Sequence, residues 1–435
     1  MSNPFFHGPP VHPDQFINRR REMRRITSRI INRGQSTAVV GEPRSGKTSL
    51  LDYLAAPEAR GLYSACEKRL VFSYLDAQTL GGEFSQTQFW EHVLRSLHER
   101  AIAPHPDSPL AQAYQMSREN DFGCFVLERF LAQMELTVWR LVLMLDEFDV
   151  LLHHPILNSA EFFGGLRSLA SRSRGALALV IASRRPLTRL NEDTQQFSRT
   201  GSPYFNFLDE ITLGPWPDKD VAELLHRAGD RFTRDDRRFI AEVAGGHPYL
   251  LQVAASALWE AYEEGERDPA RRWQQAGEIL YDEVALTLGD TRHHWPATTR
   301  KAFTAVALAQ IPSLLKQHWF LVENFIRDMR DFGLELRELK KRGFIKNDES
   351  IPGGWRVRPG AFLWWLADEL TRAVRSEETF EEWLRAEVLE GPLTRKEKQQ
   401  LGQAVEEMMD MLKGGVTAFI EAAAKGVGGA MVKGG

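Results

Sequence analysis

Residues Gly41–Thr48, "GEPRSGKT", fit G-x-x-x-x-G-K-[ST] at every fixed position: Gly41, Gly46, Lys47 and Thr48. Each residue type has a chemical reason to be there. The glycines let the backbone turn tightly, so that N–H groups between Glu42 and Thr48 and the start of the next helix can cradle phosphate oxygens. Glu42, Pro43, Arg44, Ser45 and Ser49 complete the candidate binding stretch. Lys47 would reach β- and γ-phosphates as a point charge. Thr48 would offer a hydroxyl oxygen to Mg²⁺. A second stretch supplies the rest of such chemistry. Five apolar residues, Leu141–Leu145, run into Asp146 and Glu147. Asp146 would hold the same ion, directly or through a water. Glu147 would orient or deprotonate an attacking water. The chemistry these residues could perform is the Mg²⁺-dependent hydrolysis of a nucleoside triphosphate, by in-line attack of water.

Such residues must be carried on particular elements. "STAVV" (Ser36–Val40) is short, β-branched and apolar and reads as a buried strand, while "SLLDYLAA" carries a helical pattern. A strand running through the loop into a helix is the context the motif requires. Further strand-like runs lie at Arg69–Ala77, Arg140–Asp149, Ala176–Arg184 and Asp209–Pro215, with helical patterns such as "FWEHVLRSLHER" and "FGGLRSLASRS" between them. Hydrophobic strands alternating with helices predict an α/β fold with a parallel sheet covered on both faces. Ligands of such sheets bind at the carboxyl ends of the strands. One extra strand lies between the loop strand and the acid-tipped strand, as in the phosphate-loop proteins that carry a catalytic glutamate.

A chain of 435 residues suggests about three domains. Its net charge of −4 argues against a basic nucleic-acid binder as a whole. Cys66 and Cys124 have no metal-like spacing and fit a reducing, cytoplasmic setting. The start, "MSNPFFHGPP", lacks the apolar run of a signal peptide, and no apolar stretch spans a bilayer by itself. The histidine pairs His153–His154 and His293–His294 lack ligand spacing and read as surface residues.

From Pro13 to Leu370 the chain resembles the STAND class of AAA+-related ATPases, close to archaeal-type ATPases and origin-recognition-like proteins. "FINRRREM" (Phe16–Met23) is similar to the family's h-x-G-R-x-x-E signature; Arg19 and Glu22 match, and Asn18 stands in place of the glycine. The phosphate loop and "LMLDEFD" are similar to its phosphate and metal motifs. "IASRRPL" resembles the strand-end motif called sensor 1, which implies that Ser183 or Arg184 senses the γ-phosphate. "AGGHPYLLQ" (Ala244–Gln252) resembles the G-x-P motif of the helical lid, which implies that Pro248 packs against adenine. The resemblance implies an AAA+-like P-loop ATPase core that binds ATP or ADP with Mg²⁺ between sheet and lid. It also implies slow turnover, a rearranging lid, assembly into a homo-oligomer on activation, and a protein partner in signalling or antiphage defence. Arg44 points either to solvent or to a neighbouring subunit.

The expected organisation is a core with an N-terminal arm (1–213), a helical lid (214–265), a helical linker (266–297), a winged helix (298–375), a helical segment (376–413) and a Gly/Ala-rich tail (414–435). Asp218 is the expected cap of the first lid helix. Trp364 and Trp365 are expected to dock the closing helix of the winged helix. Arg337, Lys340, Lys341 and Arg342 would be its DNA contacts, but Glu335 and Glu338 share that helix, and packing back on the nucleotide domain is the preferred role. In the tail, Ala422, Gly426 and Ala430 recur at spacing four, which lets helices approach closely. The tail is either a solvent-facing or docked segment, or an effector that self-associates or meets a membrane. Two competing functions stay open: a DNA-binding ATPase resembling origin-recognition proteins, and a remodelling ring with Arg44, Arg185 or Arg189 as a finger across subunits.

Overall fold

The apolar runs fold into the predicted parallel sheet. The computed structural model describes residues 2–17, 19–63, 69–195, 203–315, 331–351, 353–373 and 376–386. Asn18, Cys66, all of the Gly/Ala-rich tail and most of the segment before it lie outside these residues. The described residues group into two compact units. The first comprises Pro10–Glu42 and Gly46–Leu213; the second comprises Met1–Pro9, Pro43–Ser45 and Gly214 onward.

In the first unit the strands are β1 (Thr37–Val40), β2 (Leu70–Asp76), β3 (Arg140–Asp146), β4 (Leu177–Ser183) and β5 (Asp209–Thr212). All pairings are parallel, in the order β2-β3-β4-β1-β5. Register aligns Asp76 with Asp146 and Val40 with Ser183, so the acid-tipped strand and the loop strand end at one edge of the sheet, with β4 between them. Side chains alternate between two cores, as the pleat requires. Val39, Val142, Met144 and Val180 pack with Ile26 and Ile30 of α1 (Arg20–Arg33) and with Leu50, Leu51 and Leu54 of α2 (Lys47–Ala55). Leu143, Leu145, Leu179 and Ile181 belong to the opposite core. There they join residues of α3 (Gln86–Leu97), α4 (Pro109–Glu119), α5 (Cys124–Leu136) and α6 (Ala160–Arg172), among them Phe89, Phe130 and Phe163. Ser85 and Gln88 form a capping box that starts α3.

The end of α1 is fixed against the sheet. Gly34 has φ 58°, and a Cβ there would meet Gly175 Cα at 2.4 Å, so both the turn and the close approach need glycine. The Arg140 guanidinium, at the start of β3, donates to the carbonyl oxygens of Ile31 (2.8 Å), Gly175 (2.6 Å) and Ile30. It thereby gives a partner to the Ile31 carbonyl near the end of α1 and ties that end to Gly175. A short α7 (Leu187–Asp193) follows β4.

The second unit is helical. It contains α8 (Asp218–Leu225), α9 (Arg234–Ala244), α10 (Pro248–Glu263), α11 (Pro269–His293) and α12 (Ala297–Leu315). Asp218 is not the cap of α8: Pro217 holds that position, and Asp218 is the first helical residue. Its carboxylate there still opposes the positive end of the helix dipole. Between α9 and α10, Gly245 and Gly246 both have positive φ, and a Cβ on Gly246 would meet Trp216 O at 2.8 Å. Asp236, buried at the start of α9, ties three helices together. It accepts from Tyr262 Oη of α10 (2.6 Å), Trp273 Nε1 of α11 (2.7 Å), and the Thr233 hydroxyl (2.7 Å) and amide (2.8 Å).

Beyond α12 the described chain forms a helix (Gly333–Arg342) ended by Gly343 at φ 90°, a hairpin (Ile345–Asn347 with Trp355–Val357), and helices at Gly360–Ala373 and Glu377–Ala386. Trp295, Phe303, Phe344 and Phe362 form its aromatic core. Trp364 packs on Tyr281 of α11 at 4.6 Å between ring centroids, and Trp365 lies beside Gly289 of the same helix. The N-terminal residues also belong to this unit. Phe5 stacks on Phe232 at 5.6 Å, and Asn3 donates to Ser256 Oγ at 2.9 Å. Among the described residues, no helix is long and apolar enough to cross a membrane.

Candidate active site

Strand β1 ends at Val40, and the chain turns through Gly41–Gly46 into α2, whose first residue is Lys47. Gly46 sits at φ 90°, a conformation open to glycine at no steric cost. The Gly41 N–H donates to Ser183 O at 3.1 Å, which fixes the loop entrance against the end of β4. Lys47 is buried, and its Nζ donates to the carbonyl oxygens of Gly41 and Glu42, both at 3.1 Å. Burial pushes its pKa down, against the pull of the Glu147 and Glu42 carboxylates.

Across the sheet edge, Thr48 Oγ1 donates to Asp146 Oδ2 at 2.7 Å, and the Glu147 N–H donates to Asp146 Oδ1 at 2.9 Å. Glu147 leaves β3 at φ 46° and forms an ion pair with Arg184, Nε to Oε2 at 3.2 Å. The Arg184 N–H donates to Asp149 Oδ1 at 3.1 Å. The tips of β1, β3 and β4 thus bring together Lys47, Thr48, Asp146, Glu147, Ser183 and Arg184, all within the first unit. The Ser183 hydroxyl is buried and engaged with the backbone of Arg185, donating to its O and accepting from its N at 3.0 Å each.

The other candidates are placed as follows. Ser49 Oγ accepts from Val11 N at 3.0 Å. Arg19 is buried at φ 62°, before α1, and lies 3.9 Å from Glu22 one turn on. Glu42 and Ser45 are buried. Pro43, Arg44 and Ser45 group with the second unit, as does Pro248, the first residue of α10. There the Arg44 guanidinium stacks over the Tyr249 ring at 4.3 Å. Arg185 and Arg189 are paired with Asp193 and Glu192, respectively.

Two neighbours have no signal in the motifs. Tyr74 Oη, from β2, donates to Asp146 Oδ2 at 3.1 Å. Asp52 lies one helical turn after Thr48; burial and the Asp146 charge push its pKa up. The spacing from Thr48 could have pointed to Asp52, whereas Tyr74 depends on strand pairing. His154, expected at the surface, is buried. Its Nδ1 accepts from Ile156 N (3.2 Å) and Leu157 N (3.1 Å), and its Nε2 faces Gly81 O at 3.0 Å. Those partners call for the neutral ring with its proton on Nε2. They come from a turn and a distant loop, which is why the local sequence hid them.

The Thr48 hydroxyl and the Asp146 carboxylate are hard oxygen donors that fit Mg²⁺. Among the described residues, no group of three or more His, Cys, Asp and Glu side chains could hold a metal alone.

The sequence signature of the AAA-like domain family matches residues 8–266, well over half of the chain. No curated protein sequence matches. Among solved structures, a Walker-type ATPase of Pyrococcus abyssi is similar at 15% identity and a TM-score of 0.49, over 83% of this chain and 99% of its own. The Aeropyrum pernix ORC2 protein, in ADPNP–ADP complexes, is similar at 12% identity and 0.45, over 83% and 98%. A STAND protein with a tetratricopeptide repeat sensor from Pyrococcus horikoshii is similar at 14% identity and 0.35, over 99% of this chain and 60% of its own.

Proposed function

The chain belongs to the AAA-like domain family, and on that premise we propose that it is a cytosolic ATP-binding switch that hydrolyses ATP slowly. The observation that carries this reading is the contact of Thr48 with Asp146 at 2.7 Å, beside the Glu147–Arg184 pair at 3.2 Å. The metal, hydrolytic and γ-phosphate-sensing candidates converge there on one sheet edge.

In the proposed reaction the loop N–H groups bind the phosphates, and Lys47 turns from the carbonyls of Gly41 and Glu42 to phosphate oxygens. Thr48 and Asp146 would hold Mg²⁺, which supplies charge neutralisation at the β- and γ-oxygens when bound. Glu147 takes a proton from the attacking water as its oxygen bonds to the γ-phosphorus. The bond to the β-bridging oxygen breaks, and its electron pair leaves with ADP. Arg184, held by Glu147 in this structure, swings its guanidinium to the γ-phosphate and so frees the carboxylate to act as base. Nucleotide state then sets the arrangement of the lid and of a C-terminal winged helix, with assembly and an unidentified protein partner as the output. A signalling role, including antiphage defence, fits such a device.

Lys47→Ala and Glu147→Gln test the assignment. Lys47→Ala is expected to lose ATP binding. Glu147→Gln is expected to keep it while kcat falls about 10²–10⁴-fold. Wild-type turnover in Glu147→Gln would remove Glu147 from the proposed role. A second reading, a DNA-binding ATPase, draws on Arg337, Lys340 and Lys341, which are exposed on one helix. It predicts DNA affinity that falls steeply with salt; binding that ignores salt would reject it.

A further inference from the structure

We infer that Tyr74 is a positioning residue for Asp146, so that a side chain outside both motifs sets how strongly the site takes Mg²⁺. The inference rests on the Mg²⁺–nucleotide reading above and concerns this chain's own residues.

Three donors converge on the Asp146 carboxylate. Oδ1 accepts from the Glu147 N–H at 2.9 Å, and Oδ2 accepts from Thr48 Oγ1 at 2.7 Å and from Tyr74 Oη at 3.1 Å. They differ in what else they must do. The Glu147 N–H is fixed by the backbone and touches only Oδ1. Thr48 is itself a candidate metal ligand, and a hydroxyl that turns its lone pairs to a cation gives up its present aim. Tyr74 has no such duty and can stay on Oδ2 as the site fills.

Strand pairing explains how it reaches that oxygen. Tyr74 lies opposite Met144, and Asp76 lies opposite Asp146. Tyr74 and Asp146 therefore share a face of the sheet, offset by two residues, and only a long side chain closes that gap. Charge explains why a phenol suits the place. Tyr74 offers a hydroxyl donor beside the Asp146, Asp76 and Asp52 carboxylates. A carboxylate would repel Asp146 there, and phenylalanine would fill the space without holding it. Outer partners of metal ligands typically change metal affinity about 10–100-fold.

The test uses the full chain with Tyr74→Phe, Asp146→Asn and the double variant, each checked by melting temperature. A fluorescent ATP analogue is titrated in EDTA and then across Mg²⁺ concentrations. For Tyr74→Phe, the expected result is an affinity in EDTA within about twofold of wild type and a Mg²⁺ half-saturation raised about tenfold or more. In the Asp146→Asn background Tyr74→Phe should add nothing, since both changes act through one carboxylate. An unchanged Mg²⁺ curve overturns the inference, as does an equal loss in EDTA or full additivity in the double variant. If wild type shows Mg²⁺-assisted binding, such failures fall on Tyr74 alone. If wild type binds no nucleotide, the site reading falls and this inference with it.

Discussion

Glu147 sits at φ 46°, where side-chain-bearing residues are rarely found. Arg19 and Arg44 do the same at φ 62° and 59°, so three of the seven non-glycine residues with positive φ, among those described, are site candidates. Strain of this kind persists where surrounding structure over-determines it, and it collects at functional sites. For Glu147 the geometry is explicit: its N–H is held by Asp146 and its carboxylate by Arg184. Arg184 is therefore the residue through which a γ-phosphate would compete for the base. Arg184→Ala is expected to leave ATP affinity within a few-fold while kcat falls about 10²–10³-fold, the usual cost of losing one charge-stabilising donor. A kcat equal to wild type would show that Arg184 only pairs with Glu147. The buried Lys47 makes a prediction about pH. Its folded-state pKa is depressed, so the unfolded chain binds more protons between that value and about 10.4. Stability should rise with pH through that window, and Lys47→Met should flatten the rise in alkaline melting curves. An unchanged slope would mean that the burial of this ammonium costs nothing.

At the scale of elements, the Asp236 network joins α9, α10 and α11 of the second unit. Burial would raise its pKa, but hydrogen bonds from Tyr262, Trp273 and Thr233 outweigh it and hold the carboxyl below the usual range. The stability it contributes is present above the unfolded pKa of about 3.9 and is lost as pH falls through the lower folded value. Asp236→Asn is expected to cost about 1.5–3 kcal/mol at pH 7, the range for hydrogen bonds to a charged group, and less in acid. Urea melts at pH 7 and pH 3 check this; a loss that does not shrink at pH 3 would contradict it. The elements differ in how much the sequence shows of them. The central strands β1, β3 and β4 were legible because strands buried on both faces read as apolar runs, and the loop and acid pair because each is contiguous. The module after α12 was legible in part, through Trp364–Trp365. Contacts made by pairing were not legible. Tyr74 meets Asp146 across strands, His154 meets Gly81 across loops, and Phe5 packs on Phe232 from a segment with no periodicity of its own.

For the whole molecule, the chain divides into two units, with one boundary between Leu213 and Gly214, and the segment through Pro9 and Pro43–Ser45 group with the helical unit. A net charge of −4 leaves any DNA contact to local patches such as Arg337, Lys340 and Lys341. The central claim is that nucleotide state governs the state of the whole chain. Its most direct test is made on purified wild type and Lys47→Ala: bound nucleotide is extracted and identified, and mass in solution is then measured with Mg²⁺-ADP and with Mg²⁺-ATP. The account predicts that wild type carries ADP as a monomer and assembles with ATP, while Lys47→Ala does neither. A wild type that holds no nucleotide, and whose mass is the same under every condition, would contradict it.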